Sequence, residues 1–265
     1  MSNLKEIRTR IASVKSTKQI TNAMKMVSAA KLKKAQDAVI CMRPYTHKLN
    51  EILENISKSI DSSVDNIYAR YSKNPEKILI VSITANKGLC GGFNTNIIKR
   101  IDDLIDTTFS EQAENGNLQI YSFGKHGSEY FENNADKYNI IAYENDLFEN
   151  LSFENAMPFI EDIMQKFVNK DFDKILIVYN RFKNAAVQIL NTQEFLPIKI
   201  DSSKEDNDNS ESNYIFEPSK ENIVKEMIPR LLKIHFYETF MESIAAEHGA
   251  RMTAMHKATD NATAL

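Results

Sequence analysis

Residues 4–34 read LKEIRTRIASVKSTKQITNAMKMVSAAKLKK, and their spacing decides the fold. Leu4, Ile7, Ile11 and Val14 fall three and four residues apart, and the stripe resumes at Ile20, Ala23, Met24, Val27 and Ala30. That is the rhythm of a helix with one narrow apolar seam. Nothing nearby interrupts it: the first glycine is Gly88, and Pro44 is the sole proline of the first 70 residues. Periodicity returns after Pro44 at Leu49, Ile52, Leu53 and Ile56. A ring that cannot donate to the carbonyl of Ile40 therefore predicts a kink near residues 42–45 rather than a stop. A helix from Ser2 to Ile60 would be on the order of 85 Å long at 1.5 Å per residue. That far exceeds an ordinary globular helix, so it must project or coil with a partner.

A partner of the same kind closes the chain. Pro218 and Ser219, with Glu221 and Asn222, form a helix start. Ile223, Met227, Leu231, Ile234, Met241, Ala245, His248, Met252 and Met255 then keep the three-and-four rhythm, broken only by Glu238. Pro229 and Gly249 read as tolerated blemishes. Two narrow-seamed helices at opposite ends most simply pair as an antiparallel coiled coil, with the middle of the chain inserted between them.

The middle has another texture. Lys77 to Thr84 (KILIVSIT), Leu118 to Phe123, Tyr138 to Tyr143 and Lys174 to Asn180 (KILIVYN) are short, nearly continuous apolar runs, as expected of strands covered on both faces. Asn94 to Asp106 and Phe153 to Val168 read as helices between them. The alternation predicts a Rossmann-like α/β sandwich with a largely parallel sheet, and Ala186 to Phe195 reads as a further strand at an antiparallel edge. Residues 201–213 (DSSKEDNDNSESN) hold no apolar side chain and read as a mobile acidic loop. The division is thus a coil helix over 1–70, an insert over 76–200, the acidic loop over 201–213, and a second coil helix over 214–265.

Charge is unevenly spread. Up to Arg43 there are ten basic residues against Glu6 and Asp37, a net +8, so the other 222 residues carry −11 of the formal −3. Such asymmetry points to an anionic partner along the first helix: nucleic acid, a lipid surface or an acidic protein loop. The longest apolar runs, such as Ile175 to Tyr179, fall far short of the ~20 residues of a membrane span. The start lacks the apolar h-region of a secretory signal, which predicts an intracellular protein. Cys41 and Cys90, far apart and without partners at metal-ligand spacing, suggest neither a disulfide framework nor a zinc site.

The motifs that would carry chemistry read weakly. Residues 85–95, ANKGLCGGFNT, form a glycine-rich turn after the first strand, where α/β proteins bind phosphates. The turn matches neither GxxxxGK[ST] nor GxGxxG, so it reads as a tight structural turn, with a nucleotide- or phosphate-ester enzyme using Gly88 to Asn94 as the alternative. Cys90 has no histidine near it in sequence to act as a base. The five histidines are scattered, and His235 with Glu238 at i, i+3 is too small a set for a metal. No catalytic, cofactor-binding or metal residue is expected. Lys25, Lys31, Lys33 and Lys34 could track a phosphate backbone, but they lack neighbouring arginine and asparagine to read base edges, and the pI is near 6.0. Acidic protein loops are the likelier counterpart.

Taken together, several stretches resemble the gamma subunit of the F-type ATP synthase across essentially the whole chain. These are residues 11–31 (IASVKSTKQITNAMKMVSAAK), Arg43-Pro44-Tyr45, residues 88–94 (GLCGGFN), Tyr179-Asn180-Arg181-Phe182, Leu196-Pro197, residues 214–218 (YIFEP), residues 247–255 (EHGARMTAM) and residues 258–262 (ATDNA).

The resemblance implies a rotor. In that family the terminal helices form a coiled coil inside a ring of alternating alpha and beta subunits, and the central domain sits below it. That domain binds the epsilon subunit and the membrane c-ring, on the cytoplasmic face of the bacterial inner membrane and without a span of its own. It further implies one copy per complex, no cofactor, no nucleic acid and no bond chemistry of its own. Rotation driven by proton flow moves each catalytic subunit among conformations that bind or release nucleotide. By the same resemblance Met24, Lys25, Lys31 and Arg251 face the catalytic ring, and Arg43, Pro44, Tyr45, Tyr214 and Glu217 lie toward the foot. The family's turn usually has Asp-Arg where this chain has Asn86-Lys87. The family's last helix also normally continues several turns past the match at 258–262, so no contact of its tip is carried over.

Overall fold

The computed structural model describes residues 4–58, 67–198 and 220–265. Helix α1 (Leu4–Lys58) runs unbroken through Pro44, as its periodicity predicts. Helix α6 (Lys220–Ala264) lies antiparallel to it: Thr21 meets Thr259 near one end and Arg43 meets Glu242 toward the other. The expected mobile loop over 201–213, the helix start at Pro218, and the foot residues Tyr214 and Glu217 lie outside the described residues.

The buried line of α1 differs from the apolar one. Its buried residues are Thr21, Ser28, Leu32, Ala35, Val39 and Thr46, with Lys25 and Met42 half-buried in the gaps. This is an alternation of three and four, a 3.5-residue period that keeps one stripe toward a partner in a left-handed supercoil. Ile20 and Val27, each 58% exposed, and Ala23 and Ala30 lie off it. Extending the 3.5 rhythm backward from Thr21 passes through Lys18 to Val14, Ile11, Ile7 and Leu4. The seam is therefore one line that turns polar in mid-course, and Leu4, Ile7 and Ile11, beyond the stretch paired with α6, stand exposed.

The insert carries a five-stranded sheet in the order β3-β2-β1-β4-β5. Strands β1 (Ile78–Ile83), β2 (Leu118–Phe123), β3 (Ile140–Glu144) and β4 (Lys174–Phe182) are parallel, and β5 (Gln188–Leu196) closes one edge antiparallel to β4. Every residue of β1 is buried, the reason its run is apolar but for Ser82, whose hydroxyl lies 3.1 Å from that of Ser122. Ile78 and Ile80 point to one core with α2 (Phe93–Asp103) and Phe131 of α4 (Lys125–Glu132). Leu79, Val81 and Ile83 point to the other, with α5 (Phe153–Val168). Ser152 caps α5 by accepting a hydrogen bond from the Asn155 amide.

The helix expected to run on to Asp106 ends at Asp103. It passes into one π turn, Leu104–Thr108, before the short α3 (Ser110–Glu114). The Phe109 amide reaches back five residues to the Leu104 carbonyl, and this extra residue turns Phe109 rather than Thr108 into the core.

Helix α6 is buried on nearly all sides from Ile228 to Met255, wider than the single seam expected. Ala245, Ala246 and Ala250 pack with Leu32, Ala35 and Val39 of α1 in the first core, while Ile228, Leu232, Phe236 and Phe240 enter the second. Phe240 meets Phe123 edge-on at 4.9 Å between ring centroids. The alanines permit close approach of the two helices, and the phenylalanines fill the wider gap over the sheet.

Candidate functional site

The sheet reverses its winding between β1 and β4, and in open α/β sheets a ligand crevice lies at the carboxyl ends of two such strands. Here those ends are β1 with the glycine-rich turn, and β4 with the turn at 183–187. Asn86 holds the first turn in place. Its Oδ1 accepts from the Lys125 amide at 3.0 Å and its Nδ2 donates to the Asn145 carbonyl. The second bond needs an amide, since an ionised aspartate has no proton to give. Asn94 Oδ1 accepts from the Ala85 amide at 2.9 Å. Leu89 and Gly91 both take left-handed backbone angles, φ 61° and 62°, to complete the turn. For Gly91 that angle carries no steric penalty, whereas Leu89 pays for it and remains exposed.

Helix α6 forms one wall of the crevice, leaving a cavity of about 290 Å³ between Gly91, Gly92 and Asn180 on one side and Ala250 and Thr253 on the other. The buried guanidinium of Arg251 donates through Nε to the Gly88 carbonyl at 3.2 Å and through Nη2 to the Lys87 carbonyl, while Nη1 binds Glu247. Burial pushes the Glu247 carboxyl up, against the pull of Arg251. Burial, with the charges of Arg251 and Lys31, pushes His248 down to about 4, so the ring is neutral at neutral pH, and because a guanidinium can only donate, its Nδ1, 3.4 Å from Arg251 Nη1, is the accepting nitrogen. Burial raises the Cys90 thiol, leaving it a poor nucleophile. Two residues beyond Arg251, Thr253 Oγ1 donates to the Ala185 carbonyl at 3.0 Å. Gly249 does more than tolerate its place in the helix: a Cβ there would stand 3.1 Å from that same carbonyl oxygen.

A second fastening lies nearer the amino end of α6. Glu242, its side chain 5% exposed, accepts Arg43 Nη2 at 2.6 Å and Nε at 3.2 Å through Oε1, and the Phe182 amide at 2.9 Å through Oε2. Beside it opens a cavity of about 620 Å³ bordered by Arg181, Lys183, His235 and Glu238. The sequence pair His235 and Glu238 is brought together there at 3.7 Å. Burial lowers His235 and raises Glu238, which also feels the neighbouring Glu242 charge.

The residues expected at partners fall in two groups. Met24 and Lys25 are half-buried on α1, and Lys31, Arg43, Pro44 and Tyr45 are exposed. Arg251, expected to face a partner, is turned inward: its donors are spent on the turn and on Glu247, because the crevice offers two carbonyls and a buried carboxylate that need them. Glu242, Glu247 and Thr253 escaped the sequence reading, and Asn86 entered it only as a departure from the usual turn. Only the i, i+4 spacing of Glu247 and Arg251 hinted at a pair. Among the described residues no group of three His, Cys, Asp or Glu side chains could hold a metal, and no helix is long and apolar enough to cross a membrane.

These features define a two-helix stalk with an α/β domain fastened to its side, the switch-point crevice of the sheet being walled by the chain's own helix. Residues 3–265 match the family model described as ATP synthase. The ATP synthase gamma chains of Flavobacterium johnsoniae and Christiangramia forsetii are each 48% identical over 265 residues, covering all of this chain and 89% of theirs. That of Cytophaga hutchinsonii is 48% identical over 263 residues, covering 99% of this chain and 88% of that one. The central stalk and c-ring structure of Tetrahymena thermophila mitochondrial ATP synthase superposes with a TM-score of 0.63 at 23% identity, over 90% of this chain and 99% of that one. The rotor of the Euglena gracilis enzyme superposes with 0.62 at 22%, over 97% and 91%. The chain belongs to the ATP synthase gamma-chain family. It is a rotor subunit of the central stalk, and non-catalytic.

Proposed function

We propose that this chain turns as a single copy inside a ring of alpha and beta subunits, transmitting rotation of a membrane c-ring to the catalytic sites, with epsilon bound at its foot on the cytoplasmic face of a bacterial inner membrane. The observation that carries the reading is the unpaired basic face of α1. From Lys5 to Lys34 none of its lysines or arginines forms an ion pair with a described residue. Charges left unpaired along an exposed helix suit a partner of opposite sign, and long-range attraction can guide a surface without locking it at one angle. Met24, Lys25 and Lys31 face the ring in this reading, and Arg43, Pro44, Tyr45, Tyr214 and Glu217 face the foot. The working division is a coil over 1–70 and 214–265 around an insert over 76–200.

Native mass spectrometry of this chain mixed with alpha and beta subunits from the same source tests the reading. One gamma chain per three alpha-beta pairs is expected. A folded, soluble chain that joins no hexamer, or that binds ATP tightly by itself, would overturn it.

A further inference from the structure

We propose that the cleft between the β4–β5 pair and the coil is a binding site for a small phosphate monoester that carries hydroxyl groups. The site is built from side chains of this chain alone and does not depend on the rotor placement above.

Tyr179 and Arg181 of β4 share one face of the sheet with Asn191 and Gln193 of β5, Tyr179 standing directly opposite Asn191. Lys183 follows just past the strand, and Arg43 of α1 and Glu238 of α6 close the other side, leaving about 620 Å³, a volume in the range of small-molecule sites. Arg181 and Lys183 are exposed, and their side chains form no hydrogen bond or ion pair with a described residue. Arg43 holds Glu242 through Nε and Nη2, which leaves Nη1. Three cations border the cavity against the carboxylates of Glu238 and Glu242, a net +1. Guanidinium and ammonium groups take phosphate oxygens through charge-assisted hydrogen bonds.

The floor is polar in a definite way. The Tyr179 hydroxyl donates to Gln193 Oε1 at 3.2 Å and accepts from Asn191 Nδ2 at 3.1 Å. Those bonds orient both amides and leave Gln193 Nε2 as a donor and Asn191 Oδ1 as an acceptor, the two functions that one alcohol group satisfies. An apolar ligand would bury these groups unpaired. A nucleobase would need an aromatic face to stack on, whereas the rings of Tyr179 and Phe182 are both buried in the cores. A phosphate with a short hydroxylated body meets the cations at one end and the amides at the other.

Calorimetric titration of the full chain with glycerol 3-phosphate, in a buffer free of phosphate and sulfate, tests the site. One saturable site is expected, with a Kd below about 1 mM and at least three-fold tighter than that for inorganic phosphate. Arg181→Ala with Lys183→Ala should weaken binding at least ten-fold at an unchanged urea midpoint, since both side chains are exposed. Lys15→Ala with Lys18→Ala removes the same charge from α1 outside the cavity and should leave the Kd within two-fold. Gln193→Glu keeps an acceptor for the Tyr179 hydroxyl but turns the free donor into an acidic oxygen, and should also weaken binding at least ten-fold. No saturable heat up to about 10 mM, equal weakening by the two double variants, or inorganic phosphate binding as tightly as glycerol 3-phosphate would each overturn the proposal. Should the cavity double variant fail to fold, Gln193→Glu decides in the same way, a raised Kd supporting and an unchanged one overturning.

Discussion

Replacing Arg251 with alanine should be among the most damaging single changes in the coil. The side chain is buried, so its removal strands the Glu247 carboxylate, whose own side chain is 13% exposed, without its cation. Breaking a buried pair from one side costs about 3–5 kcal/mol, roughly two to three and a half decades in the folding equilibrium. Removing both partners together is a different matter. Glu247→Leu with Arg251→Met leaves no charge in the interior. Lys87 is exposed and Gly88 partly so, and water can reach their carbonyls in place of the guanidinium. The double variant should therefore lose only the net value of the hydrogen bonds given up, about 1–2 kcal/mol. Urea unfolding of the purified chain followed by circular dichroism measures both. A single variant that loses less than about 1 kcal/mol, or a double variant worse than the single, would refute the view that the stranded carboxylate dominates.

The low pKa of His248, about 4 against an ordinary 6.5, means the unfolded chain binds the extra proton first as pH falls. The stability from keeping this ring neutral is therefore whole above pH 6.5 and lost progressively toward pH 4, by up to about 3 kcal/mol. Glu247, whose pKa is raised, acts in the opposite sense, so unfolding midpoints at pH 7 and 4.5 should be compared between the parent and His248→Gln, in which the histidine's share of the slope disappears. Gly124 has φ +97°, and a Cβ there would lie 2.1 Å from the Thr84 carbonyl oxygen, which cannot retreat without breaking the β1 end. Gly124→Ala should lose more than about 4 kcal/mol and give little soluble chain on expression. With a thiol reagent at pH 8, exposed Cys41 should react fast and buried Cys90 slowly, so Cys41→Ser should remove the fast phase.

The strands and two of the insert's four α-helices were legible because burial leaves a local mark: Leu118–Phe123 and Phe153–Val168 fall where their runs predict, while the short α3 and α4 were missed. The seam of α1 was legible in kind but not in place. Following apolar residues from Val14 leads to Ile20 and Val27, whereas the 3.5-residue line leads to Thr21, Lys25 and Ser28. The coil is polar there because a buried threonine hydroxyl meets another: Thr21 and Thr259 hydroxyls lie 2.8 Å apart. Partners 238 residues apart leave no local pattern for such an exchange of greasy for hydrogen-bonded contact. The junction was hidden for the same reason. Glu242 looks like any surface acid until the amide of Phe182 and the guanidinium of Arg43 are brought to it. Arg251 was noticed, but nothing in its neighbours says which way it points.

The fastening at the switch point bears on how the stalk stays joined to its sheet. Arg251 is tethered to the Lys87 and Gly88 carbonyls by the chain itself, so the grip of α6 on the glycine-rich turn needs no dissolved ligand to complete it. A phosphate lacks the fork of N–H donors that matches those carbonyls and cannot stand in for the guanidinium. Shaft and sheet are thus joined by groups that arrive together whenever the chain folds.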